Sequence, residues 1–360
     1  MNLVVSDLVD VNRPQKSGSL PWWLGAIASR RSLSQVRRVS PVREPTPPVS
    51  SLYLRMRSEL PLLAPVVLHA SSMPALTAAW ALTRETWLAS SVALPLREAA
   101  IVGISDSNRC PYCKQTHRMF GAAAHFSDQT QVERYHAWGK ATSSPGATEL
   151  RHLPFGPEQT VEMAALAVGY HYVNRMVNVF LVEDQIALPR WLGRLRPAVE
   201  AAFTRFIARR LISQVLAPGL SLDLLPSVAL PHDLKWASAD LRLAATLAGT
   251  AHLLDEGARH LSNDARHTVE QHVHDWQGQP PGLSRAWVDQ AMVSVQAADR
   301  PPAKLALLVA LASYQVDDAI VNEARASLGS DREVIEVAAW AAMLAARRVG
   351  SWCGPSLATR

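Results

Sequence analysis

The chain is 360 residues long, 48% apolar and 19% charged, enough for one large domain or two ordinary ones around a buried core. Seventeen glycines and 24 prolines exclude a fibrous or low-complexity chain, and three cysteines exclude a disulfide-built scaffold and point to a reducing compartment, the cytoplasm. The formal charge of +5 is concentrated: residues 1–58 carry nine basic and three acidic side chains and the remainder 27 and 28, so a basic segment precedes a near-neutral body.

In chain order, Met1 to Asp10 holds two aspartates and no basic residue, which does not fit a secretory signal. No run approaches eighteen uncharged apolar residues, so no membrane-spanning helix is expected. Residues 1–58 read as a weakly ordered arm. Ser17, Gly18 and Ser19 make a flexible link, and Pro41, Pro45, Pro47 and Pro48 break helices. The patch Pro21-Trp22-Trp23-Leu24 suits docking on the body or on a neighbouring subunit. The arm's charges are not interleaved with stacking aromatics, so neither nucleic acid nor a membrane is expected as its partner.

From residue 60 the pattern is helix after helix, with apolar residues three and four apart over 74–90, 96–105, 111–125, 130–139, 158–181 and 190–215. Pro157 and Glu158 suit the first turn of the 158–181 helix. Residues 217–233, with Pro218, Gly219, Pro226 and Pro231, read as a linker. Helical patterns resume at 234–260, 263–276, 283–297, 302–314, 316–327 and 331–349. Period-two stretches are missing, so the expected class is all-α. The organisation expected is an arm at 1–58, a helical domain at 59–216, the linker at 217–233 and a second helical region at 234–360. The stretch 156–161 with its helix resembles 329–334 with its helix, and 101–121 corresponds roughly to 307–328, which suggests two related halves.

The chemistry concentrates at Arg97-Glu98 and at Arg109-Cys110-Pro111-Tyr112-Cys113, followed by Lys114 and His117. Pro111 suits the first helical position, which makes Cys110 the N-cap and puts Cys113 in the first turn. Spacings of three and four then place Cys110, Cys113 and His117 on one helix face. The positive end of the helix dipole, with Arg109, Lys114 and Arg118 nearby, is expected to lower a thiol pKa. His117 is placed to take the Cys113 proton, and Glu98, on the preceding helix, to orient or reprotonate the imidazole.

Other readings of these residues stand beside this one. Zinc needs a fourth ligand, for which Glu98 or His125 is available, but there is no second cysteine pair. A thioredoxin motif follows a strand, whereas both flanks here are helical. Two buried structural cysteines beside an incidental histidine are the plain alternative. His171 reads as a core histidine with satisfied hydrogen bonds, Trp80 and Trp87 as the core stripe of one helix, and Cys353 as a packing cysteine.

Glu-x11-Cys-x-x-Cys-x3-His in an all-helical chain resembles the AhpD-like alkylhydroperoxidase group of the carboxymuconolactone decarboxylase superfamily. The resemblance covers residues 75–180 and, as a degenerate copy, the second half. It implies a thiol peroxidase or disulfide reductase acting on an organic hydroperoxide or hydrogen peroxide. Carried over, Cys113 is the attacking thiolate, Cys110 the resolving thiol, and His117 with Glu98 the proton relay. It implies no cofactor beyond the redox-active cysteine pair, a lipoyl-bearing or thioredoxin-like dithiol reductant as partner, and a homo-oligomer. Two departures stand out. Tyr112 replaces the histidine that some members carry between the cysteines, and Val316, Ala319 and Glu323 stand where the second half would hold its thiols and histidine. Two further functions remain open at this point: a redox sensor or scaffold that uses the dithiol as a switch without turnover, and a decarboxylase, which would not need a dithiol.

Overall fold

The computed structural model describes residues 29–124, 126–182 and 216–354, with positions 193 and 198 isolated between them. Among these residues the fold is all-α, with no sheet and one lone antiparallel bridge between Val36 and Leu181. Besides short helical stretches at 29–34 and Ala64–Val67, the first set of helices is α1 Val49–Glu59, α2 Met73–Thr83, α3 Leu94–Ser107, α4 Pro111–Ala123, α5 Gln129–Ala141 and α6 Thr160–Phe180. After residues 217–233 follow α7 Leu241–Asp255, α8 Asn263–Asp275, α9 Ala286–Ala291, α10 Arg300–Ala312, α11 Asp318–Leu328 and α12 Asp331–Cys353.

Short polar side chains set the starting points of these helices. Ser72, Asp128, Asp240, Ser262, Asp317 and Ser330 each accept the backbone N–H three residues on, opening α2, α5, α7, α8, α11 and α12. Gly329, at φ 103°, closes α11 in the left-handed conformation that glycine adopts without strain. Most boundaries fall within a few residues of those read from periodicity. Two differ. Of the expected 283–297 helix only α9 is α-helical, and 234–260 divides into a 3-10 segment His232–Ala239, α7 and a 3-10 segment Glu256–His260. The expected 190–215 helix lies outside the described residues.

The long helices α6 and α12 are buried on nearly every face and pack along one another at the centre. A helix apolar all round belongs in the middle of a core. Against this centre, α3 packs on α4, α5 and α6. Its contact with α5 is backbone to backbone. A methyl group at Gly103 would overlap the His136 carbonyl, and one at Gly139 would overlap the Ala100 carbonyl. These two glycines therefore bring α3 and α5 together and fix the rod that carries Glu98.

Residues 29–58, expected as part of a weakly ordered arm, depart from that expectation. Residues 29–34 are helical and α1 follows the prolines, with Pro48 at its N-cap. Proline is disfavoured inside a helix but tolerated at its start, so the cluster at 41–48 precedes α1 without breaking it. Leu52, Tyr53 and Met56 bury one face of α1. The basic side chains here meet body acids: Arg38 pairs with Asp318 at 2.6 Å and Arg55 with Asp223 at 2.8 Å. Residues 1–28 lie outside the described residues. Residues 217–233 contain no long helix but are tied down, with Gly219 N and Ser221 Oγ donating to the buried Glu85 carboxylate at 2.7 Å each. Among the described residues no helix is long and apolar enough to cross a membrane.

Candidate active site

At the end of α3 the chain turns through Arg109, whose φ of 51° lies in the left-handed region, and Cys110 N donates back to Ser105 O at 2.9 Å. Pro111 then starts α4. Cys110 is its N-cap, and its Sγ accepts the Cys113 N–H at 3.5 Å. This is the local geometry expected from Cys-Pro-x-Cys. Both thiols are free and buried.

Cys113 and His117, one turn apart on α4, line a common cavity of about 170 Å³, and Cys110 is not part of its wall. Glu98, fully buried on α3, accepts His117 Nδ1–H at 2.5 Å. With the proton on Nδ1, the lone pair of Nε2 is left as the base. The other carboxylate oxygen of Glu98 accepts the Trp87 indole N–H at 2.7 Å. The structure thus brings Glu98, His117 and Cys113 to one side of the α3–α4 hairpin, with Cys110 immediately behind Cys113.

Three aromatic residues surround the imidazole, Phe120 among them at a ring-centroid distance of 5.9 Å. Trp87 and Tyr170 meet the His117 ring edge-on, at centroid distances of 5.4 and 4.9 Å. Trp87 reaches this position because α2 ends in a π-helical turn, Arg84–Leu88, a local widening that recurs at functional sites. The apolar period places Trp87 in the core stripe, where it is indeed buried, but a π-turn has no signature in such a period. In Tyr170-His171-Tyr172 the tyrosine, not the histidine, lines the cavity. His171 is a satisfied core histidine. Its Nε2–H donates to Thr142 Oγ1 at 2.8 Å, and Nδ1 accepts from Asn108 Nδ2 at 3.0 Å. Burial, then the Arg175 charge, hold it neutral, well below the usual histidine value.

The remaining cavity wall is mainly apolar, with Leu60, Leu62, Val66, Phe120 and Val173 beside Thr83, Thr86 and Thr116. It is completed by residues of the N-terminal segment, where Gln35 Oε1 accepts the Tyr112 O–H at 2.9 Å. On another side, Glu98 and His117 also border a cavity of about 410 Å³ whose wall includes Glu133 and His136.

The thiol electrostatics differ from the expectation of a lowered pKa. Burial, reinforced by the hydrogen bond and charge of Cys110, pushes the Cys113 thiol well above its usual value. The nearby cations do not counter this, because Lys114 pairs with Asp106 and Arg109 stacks on Tyr314. Desolvation therefore outweighs the helix dipole, and ionising Cys113 calls for a base at hand. Burial, then the charges of Glu98 and Cys113, also push the Tyr170 phenol well up.

Among the described residues no group of three or more His, Cys, Asp or Glu side chains is placed to hold a metal ion, and His125 lies outside them. In the second half, Val316 is buried ahead of α11 while Ala319 and Glu323 are exposed on it. Cys353 is buried at the end of α12, and burial pushes its thiol up to about 12.

The chain is similar to an alkyl hydroperoxide reductase of Mycobacterium tuberculosis, 32% identical over 320 residues that span 85% of this chain and 91% of the relative. No protein-family profile matches the chain, and no solved structure matches it.

Proposed function

The chain belongs to the AhpD-like alkylhydroperoxidase group, and from that premise we propose that it reduces organic hydroperoxides through the Cys110–Cys113 dithiol. The observation that carries this reading is the shared cavity. Cys113 and His117 line it, Glu98 holds Nδ1 of the imidazole, and Cys110 stands behind Cys113.

His117 Nε2 takes the Cys113 proton, and the thiolate attacks the hydroperoxide. An S–O bond forms as the O–O bond breaks, and the departing alkoxide takes the proton back from the imidazolium to leave as alcohol. Cys113 is then a sulfenic acid. Cys110 attacks its sulfur, an S–S bond replaces the S–O bond, and water leaves. Two electrons have passed from the dithiol to the peroxide. A dithiol reductant of the lipoyl or thioredoxin class restores both thiols by exchange, with no other cofactor. The raised Cys113 pKa makes the relay necessary at neutral pH, and the cavity beside Glu133 and His136 gives it a route for proton exchange.

The apolar wall favours a hydroperoxide with an apolar body over hydrogen peroxide. An engineered apolar cavity of ~150 Å³ takes up benzene, so a volume of about 170 Å³ suits a substituent of that size. A second reading, a redox switch without turnover, draws on the same burial of both thiols, which slows access by an external dithiol.

The test is peroxide consumption with dihydrolipoamide as reductant, comparing cumene hydroperoxide with hydrogen peroxide. Repeated turnover, faster with the organic peroxide and abolished in Cys113→Ser, supports the enzyme. Oxidation of one dithiol equivalent that then stops identifies the switch.

A further inference from the structure

A polar cavity of about 530 Å³ lies against the same turn, lined by Asn108 and Arg109 just before Cys110, and shares no wall residue with the thiol cavity. Three cations line it, Arg109, Lys140 and Arg175, against one carboxylate, Glu149. Among the described residues none of the three cations makes an ion pair with a carboxylate.

Arg175 is the centre of the arrangement. Only 4% exposed, it is held rigidly by neutral acceptors: Nε donates to Ala310 O at 2.8 Å, and Nη1 to His171 O at 2.8 Å and Asn108 Oδ1 at 3.1 Å. A buried guanidinium without a counter-charge is costly to keep, and burial alone lowers it to about 9. The C-terminal ends of α3, α5 and α10, at Ser107, Ala141 and Leu311, also line the cavity, and the negative ends of their dipoles, with Glu149, offset part of the positive charge.

Two further features mark a built cavity. Arg109 occupies a left-handed backbone position, where glycine or asparagine is less strained, and its guanidinium lies 4.5 Å over the Tyr314 ring. The buried Tyr314 hydroxyl has no hydrogen-bond partner among the described residues. Opposite, Gly278 at φ 85° brings the loop after Trp276 onto the Ser143 carbonyl, an approach that any Cβ would block.

We infer that this cavity is a second ligand site, which takes a small organic anion, a carboxylate or phosphate on a flat body, with the anion on Arg175, Arg109 and Lys140 and the body between Trp276 and Tyr314. A guanidinium matches either anion bidentately, a geometry open to Arg109; Arg175, with Nε and Nη1 engaged, offers Nη2, and Trp276 and Tyr314 give the body an apolar wall. The site is independent of the peroxide chemistry, since none of its residues belongs to the relay.

Calorimetric titration of the full chain with benzoate, phenyl phosphate and phenol tests this. Saturable one-to-one binding of at least one of the anions is expected, without binding of phenol, and the preferred anion tells a carboxylate site from a phosphate site. Lys140→Met and Arg109→Met each weaken binding at least ~10-fold. Arg175→Met abolishes it, and if that variant does not fold the other two carry the test. No saturable binding of either anion, equal binding of phenol, or undiminished affinity in Lys140→Met and Arg109→Met would overturn the assignment.

Discussion

Glu98→Gln isolates the charge of the relay from its shape. The carboxylate faces two donors, the Trp87 indole N–H at 2.7 Å and His117 Nδ1–H at 2.5 Å. Glutamine has the same outline but offers one acceptor and one donor. If its oxygen stays on His117, the amide nitrogen confronts the indole N–H, and a buried donor is left unpaired at a cost of about 1–3 kcal/mol. If its oxygen stays on Trp87, the amide N–H donates to His117 Nδ1, and the imidazole proton moves to Nε2. The second arrangement keeps every partner and is favoured by that energy difference. It leaves no lone pair on Nε2 to take the Cys113 proton. Loss of a positioned general base lowers the rate by roughly 10²–10⁴-fold. Because burial pushes the Cys113 thiol above its usual value of 9.0, the lost rate should return as hydroxide takes over deprotonation at more alkaline pH. Stopped-flow oxidation of the protein by cumene hydroperoxide across pH 6 to 10 measures both effects. A Glu98→Gln protein that reacts as fast as wild type at pH 7, with the same pH profile, refutes the tautomer argument.

Further expectations concern the scaffold. Gly139→Ala forces a methyl group into the Ala100 carbonyl, separates α3 from α5 and destabilises the fold by about 3 kcal/mol in urea unfolding. Gly146→Ala, with no atom within 4 Å of the added carbon, should leave the midpoint unchanged. The Cys353 thiol is raised to about 12 in the folded chain, so the unfolded state loses its proton first, and stability falls as pH rises above 9. The loss reaches up to about 1.4 kcal/mol per pH unit, and Cys353→Ala should show a correspondingly shallower alkaline slope. His69 behaves oppositely. Burial lowers it from 6.5 to about 4, with Nε2 accepting the Tyr172 O–H at 2.7 Å, so stability is lost as pH falls from 6.5 towards 4. That share is about 3 kcal/mol, and an acid limb of unfolding unchanged in His69→Gln contradicts it.

Much of this architecture can be read from letters because its signals are local. Helix periods, the proline after Cys110 and the three-and-four spacing to His117 depend only on neighbours in sequence, and the structure places α4 and its N-cap accordingly. Glu98 was legible as a partner because a short turn folds α3 back on α4. Trp87 and Tyr170 were not, since a π-turn and a helix crossing bring them to His117 from elements with no shared period. The sign of the Cys113 shift was misread for a related reason. Sequence shows the cations near the thiol, but not that Asp106 at the end of α3 pairs with Lys114, nor that Tyr314, far along the chain, takes Arg109. The prolines at 41–48 misled in another way, marking the approach to α1 and not the end of order.

The central claim is that Cys113 attacks and Cys110 resolves. It is tested most directly by treating Cys110→Ser and Cys113→Ser proteins with one equivalent of cumene hydroperoxide in the presence of dimedone, then mapping the adduct by mass spectrometry. A sulfenic-acid adduct on Cys113 in Cys110→Ser, none on Cys110 in Cys113→Ser, and loss of two thiols in wild type with Cys353 intact is the expected result. An adduct on Cys110 alone, or three thiols that survive the peroxide in wild type, would contradict the assignment.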